Sequence, residues 1–472
     1  MNILYATAEA KPYIRMGDLG DLSESIPLSI HDKSVECRIV IPLYSDIPNS
    51  LRNKMKYIIH YQVPVGWRNQ YCGIFESHVN GVIYYFIDNE YYFKRSGIYG
   101  YSDDLERFAF FSRAVLEMLR YINYPVDIIH SNEWHTALIP VYKKLLYSQI
   151  SHYKNIKTVF TIHNMLYQGQ FGLDTFSDIL GLNPCDMSTL EFNGTINLMK
   201  AAIITADSVT TTTPTYINNN MDNSYAYGLE GIMKNNSFKF CVIANGIDTK
   251  KFNPETDESI IKNYSIHDIS DKSQNKTALQ KMFHLPVDDS IPLIGMITNL
   301  VEDNGLDLIR DTIENIISNR TQFVMLGSGD TLIETFFVEM ANRYPAKMGI
   351  KIGTFPDIAS KIYAGTDMFL MTTKEEPCCT SQLIALRYGT IPIVREMKNL
   401  EDITINYSLN DIVFTFNPND KLDIIKTIRQ CEKIFHNKEE WKELVKEAMN
   451  CDNSWKSSAE KYILLYKKLV KV

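Results

Sequence analysis

The sequence has no long apolar run, no long run of lysine and arginine, and no cysteines paired at metal-binding spacing, and each absence excludes a class of protein. No window approaches the roughly 18 consecutive apolar residues of a membrane-spanning helix. The eight cysteines lack metal-type spacing, and a chain of 472 residues does not need a disulfide framework. A formal net charge of −8 without a basic run argues against nucleic acid or an anionic membrane as partner. We therefore expect a soluble protein whose ligand is a small molecule or a neutral polymer.

The first residues also lack the pattern of a secretory signal peptide. Residues 1–6 run directly into an apolar, strand-like stretch, without a basic start and a small-residue cleavage site. This pattern predicts a cytoplasmic location.

The length and the apolar pattern predict two domains. Single hydrophobic cores stop growing at roughly 250–300 residues. Short β-branched runs alternate with helical patterns, which is typical of parallel α/β layers. The runs before a polar stretch near 257–280 are residues 3–6, 38–42, 82–87, 127–130, 158–162, 208–212 and 241–244. The runs after it are residues 291–297, 322–326, 349–352, 368–371 and 391–394.

Polar clusters follow several of these strands, where ligands bind in open parallel sheets. Residues 15–22 form a glycine-containing loop that leads into a helix, a pattern that suits a phosphate or an ordinary strand-to-helix turn. Residues 130–135 and 161–164 place histidines at two further strand ends. A lone histidine there is more often structural, but two such clusters in one predicted sheet favour a site.

Further motifs together resemble one family. They are Glu-Phe-Asn-Gly at 191–194, Tyr-Gly-Leu-Glu-Gly at 227–231, Asn-Gly-Ile-Asp at 245–248, Asn-Gly-Leu-Asp-Leu at 304–308, Leu-Gly-Ser-Gly-Asp at 326–330, Glu-Pro-Cys at 376–378 and Tyr-Gly-Thr-Ile-Pro at 388–392. With the three loops above, their order resembles the starch and glycogen synthases of plants and bacteria that use ADP-glucose. The resemblance covers nearly the whole chain.

The resemblance implies an α/β protein of the GT-B fold, with two Rossmann-like domains facing across a cleft. The N-terminal domain would comprise residues 1–248, the C-terminal domain 290–455, and the last helix, 456–472, would cross back to the N-terminal domain. The implied reaction transfers glucose from ADP-glucose to the non-reducing end of an α-1,4-glucan with retention, without a metal or other cofactor. A plastid location would apply only if a transit peptide has been removed.

Matching positions imply roles for individual residues. His163 would lie beside the glucose ring, Glu376 would contact donor-sugar hydroxyls, and Glu133 would replace the family's aspartate near the reaction centre. The positions on the nucleotide side are Arg15, Gly17, Asn245, Asn299, Asn304, Thr354, Cys379 and Thr380.

Several of these positions depart from the family pattern. Asn299 and Asn304 stand where the family has an arginine and a lysine. In the N-terminal loop Arg15 replaces a lysine and Asp18 replaces a glycine. Thr354 replaces an aromatic residue, Cys379-Thr380-Ser381 replaces Gly-Leu-Thr, and Lys398-Asn399 replaces a Gly-Gly pair. Because a leaving nucleoside diphosphate is stabilised by preorganised positive charge, these changes predict a weakened donor site.

Three interpretations stay open at this point. The chain is a synthase homologue with weak or no glucose transfer, or a working synthase with a rearranged donor site or another donor nucleotide. Alternatively, it is a non-catalytic protein that binds glucan or regulates an active paralogous synthase. Lys398 or Arg395 would be the cations available to replace those lost.

Overall fold

The computed structural model describes residues 1–31, 34–212, 226–318, 320–373, 380–396 and 412–471. The chain forms two compact units. Unit 1 comprises Met1–Ala244 and Lys456–Val472, and unit 2 comprises Asn245–Trp455. Unit 2 is therefore inserted in the sequence of unit 1, and the chain passes between the units twice.

Unit 1 contains a nine-stranded sheet and a three-stranded sheet. Its strands are β1 (Asn2–Ala6), β2 (Glu36–Pro42), β3 (Lys56–Val65), β4 (Arg68–Val79), β5 (Val82–Asp88), β6 (Ile128–Asn132), β7 (Lys157–Ile162), β8 (Gln170–Phe171), β9 (Glu191–Phe192), β10 (Thr195–Asn197), β11 (Ser208–Thr211) and β12 (Phe240–Val242). The large sheet has the order β12-β11-β7-β6-β1-β2-β5-β4-β3, and the small antiparallel sheet has the order β8-β10-β9.

The large sheet is parallel from β12 to β5. Every residue of β6 and of β11 is buried, as expected for strands covered on both faces. By contrast, β3 and β4 extend the edge as an antiparallel hairpin. Many of the hairpin residues are exposed, which explains why no continuous apolar run marked it in the sequence.

Several α-helices of unit 1 precede unit 2 in the sequence. They are α1 (Asp18–Ile30), α2 (Asn49–Arg52), α3 (Glu90–Phe93), α4 (Asp104–Met118), α5 (Leu138–Tyr142), α6 (Met187–Leu190), α7 (Leu198–Thr205) and α8 (Glu230–Asn235). Of these, α1, α4 and α5 contact the large sheet. The longest, α4, is almost wholly buried and carries the buried Arg107.

Unit 2 has a six-stranded parallel sheet. Its strands are β13 (Leu293–Ile297), β14 (Gln322–Gly327), β15 (Met348–Ile352), β16 (Met368–Met371), β17 (Ile391–Arg395) and β18 (Phe414–Phe416). They are arranged as β15-β14-β13-β16-β17-β18. Numbered within the unit, this is the order 3-2-1-4-5-6 of a Rossmann-like sheet. In unit 1, the same order applies to six parallel strands when they are numbered 1 to 6 along the chain: β1, β2, β5, β6, β7 and β11.

The helices of unit 2 surround its sheet. They are α9 (Lys272–Met282), α10 (Leu306–Ile316), α11 (Thr331–Arg343), α12 (Pro356–Gly365), α13 (Thr380–Arg387), α14 (Lys421–His436) and α15 (Lys438–Asn450). One continuous apolar core joins these helices to the strands.

The last helix, α16 (Trp455–Val470), belongs to unit 1 from Lys456 onward. Its Tyr466 hydroxyl lies 2.6 Å from Nδ1 of the buried His130. The Ser458 hydroxyl donates to the carbonyl of Ala244 at 2.7 Å. These polar contacts fix the helix against the end of β12 and the middle of β6.

In the described ranges no helix combines the length and the apolar character needed to cross a membrane.

Candidate functional site

In each unit the strand order reverses at one point, between β1 and β6 in unit 1 and between β13 and β16 in unit 2. Connections leave the two strands in opposite directions there, which opens a crevice at their carboxyl ends where ligands bind. In unit 1 the loop after β1 and the cluster after β6 both begin at this edge. In unit 2 the loop after β13 does so.

Glu133 follows β6 directly and joins two strand ends. Its φ of +61° is in the left-handed region, which few residues other than glycine adopt. The buried carboxylate accepts hydrogen bonds from the backbone amides of His163 at 2.6 Å and Asn164 at 2.9 Å. Burial raises the pKa of Glu133 to about 7, although the two amides act in the opposite direction. This carboxyl group can therefore exchange a proton near neutral pH.

Asn132 fixes the tautomer of the His163 imidazole. The Asn132 amide nitrogen donates to the carbonyl of Ala6 at 3.1 Å, so its oxygen accepts from Tyr5 Oη at 2.8 Å and from His163 Nε2 at 3.1 Å. The proton consequently resides on Nε2, and buried Nδ1 is an acceptor without a partner among the described residues. Burial lowers the pKa of His163 to about 4.

The loop after β1 is held by a residue that the sequence analysis missed, Glu9. Its buried carboxylate accepts from the amides of Met16 at 2.5 Å and Gly17 at 3.2 Å, and from Tyr99 Oη at 3.0 Å. Burial raises the pKa of Glu9. The signal was an acidic residue between two alanines, three positions after the end of β1.

Arg15, in this loop, is about half exposed and forms an ion pair with Asp21 at 2.7 Å. Lys11 pairs with the same carboxylate. Gly17 precedes α1 with φ −139°, and a Cβ there would meet nothing within 4 Å. Packing therefore does not require a glycine at this position, while the retained cation already has a carboxylate partner.

His135 is a second buried polar residue near the loop after β1, and it packs against Tyr99. The ring of Tyr99 is 4.5 Å from the ring of His135, which contacts Trp134 at 4.0 Å. Burial, together with the charge of Arg107, lowers the pKa of His135 to about 3. Tyr99, which donates a hydrogen bond to Glu9, is thus connected by aromatic packing to His135 and Trp134, two residues that follow Glu133 in the chain.

In unit 2, the loop after β13 brings Asn299 and Asn304 together. The Asn304 side chain donates to the backbone carbonyl of Asn299 at 2.8 Å. The Asn304 carbonyl accepts from the Thr372 hydroxyl, after β16, at 2.9 Å. Gly305 follows with φ +70°, and a Cβ there would lie 2.0 Å from the Thr372 carbonyl oxygen. Neutral groups therefore close this loop across the point where the strand order reverses.

The remaining nucleotide-side positions are separate from this pair. Thr354 is exposed between β15 and α12, beside Phe355, whose ring is 43% exposed and covers Gly353. Thr380 is the first residue of α13. Asn245 is buried at the start of unit 2. Glu376 and Cys379 lie outside the described residues, as does Lys398.

Comparison with known proteins adds full-length relatives. Residues 2–235 match the family model for the starch synthase catalytic domain. The chain is 43% identical over 477 residues to a glycogen synthase of Caldicellulosiruptor saccharolyticus, and each chain is covered completely. Glycogen synthases of Bacillus cereus strain Q1 and Lactobacillus acidophilus are each 42% identical, also over the whole of both chains.

The chain belongs to the glycogen and starch synthase family. Its fold is similar to the catalytic domain of starch synthase IV from Arabidopsis thaliana, solved with ADP and acarbose, at a TM-score of 0.85 and 29% identity over 100% of this chain and 99% of that one. A sucrose-phosphate synthase from Thermosynechococcus elongatus shares the fold at a TM-score of 0.58 and 14% identity, over 100% and 99% of the two chains. The predicted α/β fold of the GT-B type is confirmed.

In this synthase-family chain, the predicted site residues form local groups. On unit 1, Glu133 and His163 are hydrogen-bonded, and Arg15 and Gly17 share the loop held by Glu9. On unit 2, Asn299 and Asn304 are hydrogen-bonded. Nowhere in the described part of the chain do three or more His, Cys, Asp or Glu side chains group in a way that could hold a metal ion.

Proposed function

We propose that this chain acts in α-1,4-glucan synthesis with a weakened donor-phosphate site. The reaction is transfer of glucose from ADP-glucose to the non-reducing end of a glucan, with retention and without a metal. Full-length identity to glycogen synthases supports the reaction class. ADP and acarbose in the Arabidopsis structure support a nucleoside diphosphate and an oligosaccharide as ligand classes.

The observation that carries the weakened site is the hydrogen bond between Asn304 and the Asn299 carbonyl. The family pattern has a lysine and an arginine at these positions. Here the Asn304 amide is used to close its own loop, and neither side chain has a positive charge to offer a phosphate. Unit 2 thus loses two positive charges relative to the pattern.

The N-terminal loop supports the same conclusion. Arg15 retains a positive charge, but Asp21 pairs with it and with Lys11. Asp18, which is exposed at the start of α1, adds a negative charge where the pattern has a glycine. A phosphate approaching this loop would meet a cation that is already paired.

The size of the effect follows from Coulomb's law. One unit charge about 4 Å from a phosphate contributes roughly 4 kcal/mol at an effective dielectric near 20, before desolvation. A change of about 1.4 kcal/mol in the barrier changes the rate tenfold. Even if desolvation strongly reduces the Coulomb energy, the lost charges still predict that glucose transfer slows by several orders of magnitude. We therefore propose slow or undetectable turnover with ADP-glucose.

In this proposal, His163 and Glu133 retain their roles beside the donor sugar. The neutral His163 imidazole offers an acceptor nitrogen for a sugar hydroxyl. Glu133 positions the backbone amides of His163 and Asn164 through its carboxylate. These contacts are intact, so the proposed defect is confined to binding of the diphosphate.

The test is ADP-glucose binding by calorimetry, in parallel with transfer of labelled glucose to glycogen. We expect the native chain to bind and transfer weakly, and the Asn299→Arg, Asn304→Lys double variant to gain at least tenfold in either property. The Asn299→Gln, Asn304→Gln variant is the matched neutral control and should gain nothing. Brisk transfer by the native chain would refute the weakened site and indicate a working synthase. Retention on amylose with no transfer by any variant would instead favour a glucan-binding or regulatory role.

A further inference from the structure

A cavity of about 270 Å³ lies on unit 2, away from the positions considered above. Elements α9, α14, α15 and the C-terminal end of α12 form its walls. Its most distinctive lining residues are four lysines and two aromatic side chains: Lys272, Lys276, Lys438, Lys442, Phe435 and Trp441. None of the predicted sugar or nucleotide positions lines it.

The two inner lysines are used by the fold itself. Lys276 pairs with Asp367 at 2.8 Å and donates to the carbonyl of Asp289 at 2.9 Å. Lys272 donates to the carbonyls of Ala364 at 2.9 Å and Tyr388 at 3.0 Å, and to the Thr390 hydroxyl at 2.9 Å. Lys276 consequently neutralises Asp367, whereas Lys272 binds carbonyl oxygens at the end of α12, and burial lowers its pKa to about 7.

The two outer lysines have no such partner. Lys438 and Lys442 are exposed at positions i and i+4 of α15, and within the described ranges neither ammonium forms an ion pair. Like charges at this spacing destabilise a helix by a few tenths of a kcal/mol. Lys438 lies over the ring of Phe435 at 4.1 Å, which holds its ammonium at the cavity.

The start of α15 adds hydrogen-bond donors to these charges. Lys438 is the first residue of this 13-residue helix, and the preceding Asn437 gives no side-chain cap. The Asn437 amide instead donates to Glu440 at 2.9 Å. The first-turn amides, at the positive end of the helix dipole, thus lie beside two cations.

Asp268, Glu439 and Glu440 lie near the cavity, and Asp268 and Glu440 already accept hydrogen bonds. Asp268 accepts from the amide and hydroxyl of Ser270 at 3.1 and 2.6 Å, and it feels the charge of Lys442 only weakly. Glu439 and Glu440 are exposed on the first turn of α15. The lining itself contains only Asp289 and Asp367 as acids, against four lysines.

We propose that this cavity binds the phosphate group of a small phosphate monoester, with Lys438 and Lys442 as its counter-charges. The first turn of α15 supplies further donors. Trp441, Phe435 and Val445 form the apolar wall for the rest of the molecule. This site is independent of the proposed donor site and needs no catalysis.

The experiment is calorimetric titration of the intact chain with inorganic phosphate and with phenyl phosphate. We expect both to bind in the millimolar range, phenyl phosphate more tightly because its ring can contact the apolar wall. The Lys438→Gln, Lys442→Gln variant should weaken both at least tenfold. The control, Lys281→Gln with Lys433→Gln, makes the same charge change at exposed positions of α9 and α14 outside the cavity, and should bind as the native chain does.

Three results would overturn the proposal. One is equal weakening in both double variants, which would mean that phosphate senses only net charge. Another is phosphate binding that the Lys438→Gln, Lys442→Gln variant leaves unchanged, which would locate the anion elsewhere, for example in the loop after β1. A monoester is ruled out as the ligand if inorganic phosphate binds more tightly than phenyl phosphate, because the apolar wall would then add nothing to binding.

Discussion

At the scale of single residues, buried carboxylates do structural work through backbone amides. Glu9 holds the loop after β1 by two amides and a tyrosine hydroxyl, and Glu133 joins the ends of β6 and β7 by two amides. Neither carboxylate forms an ion pair in the part of the chain that the structure describes. Hydrogen bonds therefore offset the cost of burial for both carboxylates, and the charge of Arg15 adds to them for Glu9.

Two substitutions of Glu9 distinguish the effect of its hydrogen-bond acceptors from the effect of its negative charge. Glu9→Ala removes three hydrogen bonds and leaves the amides of Met16 and Gly17 without an acceptor, so we expect a loss of about 2–3 kcal/mol in unfolding free energy. Glu9→Gln keeps one oxygen for those amides and should lose less than about 1 kcal/mol. Urea unfolding of the three proteins measures this difference. Equal losses in the two variants would show that the negative charge itself holds the loop.

At the scale of elements, the loop after β13 is shaped by one glycine. Gly305 has φ +70° and approaches the Thr372 carbonyl so closely that a Cβ would lie 2.0 Å from the oxygen. Gly81, in the turn between β4 and β5, has φ +84° but nothing within 4 Å of a Cβ. The two glycines share a left-handed backbone conformation and differ in the space available for a Cβ atom.

This contrast gives a prediction for alanine at each position. Gly81→Ala should cost about 1–2 kcal/mol, the usual penalty of the left-handed conformation. Gly305→Ala should cost about 3 kcal/mol or more, because the loops after β13 and β16 must also move apart. Thermal unfolding compares the two variants. Similar shifts in melting temperature would mean that the loop after β13 adapts freely.

Sequence patterns predicted the elements better than their contacts. Buried parallel strands such as β13 and β14 were found because they read as nearly continuous apolar runs. The edge hairpin of β3 and β4 was missed because exposed polar residues interrupt it. The pairing of Glu133 with the amides of His163 and Asn164 joins residues 30 and 31 positions apart, so no local pattern reports it. Motif order indicated which residues matter, while the structure showed what they hold.

At the scale of the whole molecule, buried ionisable groups make stability depend on pH. Burial lowers the pKa of His130 and of His135 to about 3 and that of His163 to about 4. Between those values and about 6.5, the unfolded chain binds more protons at these residues, so their contribution to stability rises with pH. Burial raises the pKa of Glu133 to about 7, so between about 4.5 and 7 its contribution falls with pH.

Because the contributions of His163 and Glu133 change with pH in opposite directions, replacing each residue should have opposite effects on the pH dependence of stability. His163→Gln should reduce the increase in unfolding free energy between pH 4.5 and 6.5 by about 1 kcal/mol per pH unit, whereas Glu133→Gln should enlarge it by a similar amount. Urea unfolding at a series of pH values gives both slopes. The assignment fails if the two variants change the slope in the same direction.

The final helix has a consequence for how the protein is made. Because α16 pairs with His130 and Ala244, unit 1 cannot be completed until the residues of α16 are translated, which is after the whole of unit 2. Unit 2, encoded as one uninterrupted segment from 245 to 455, can finish folding earlier. The strands of the unit 1 sheet are therefore all translated long before α16, and until then the imidazole of His130 lacks the hydroxyl of Tyr466.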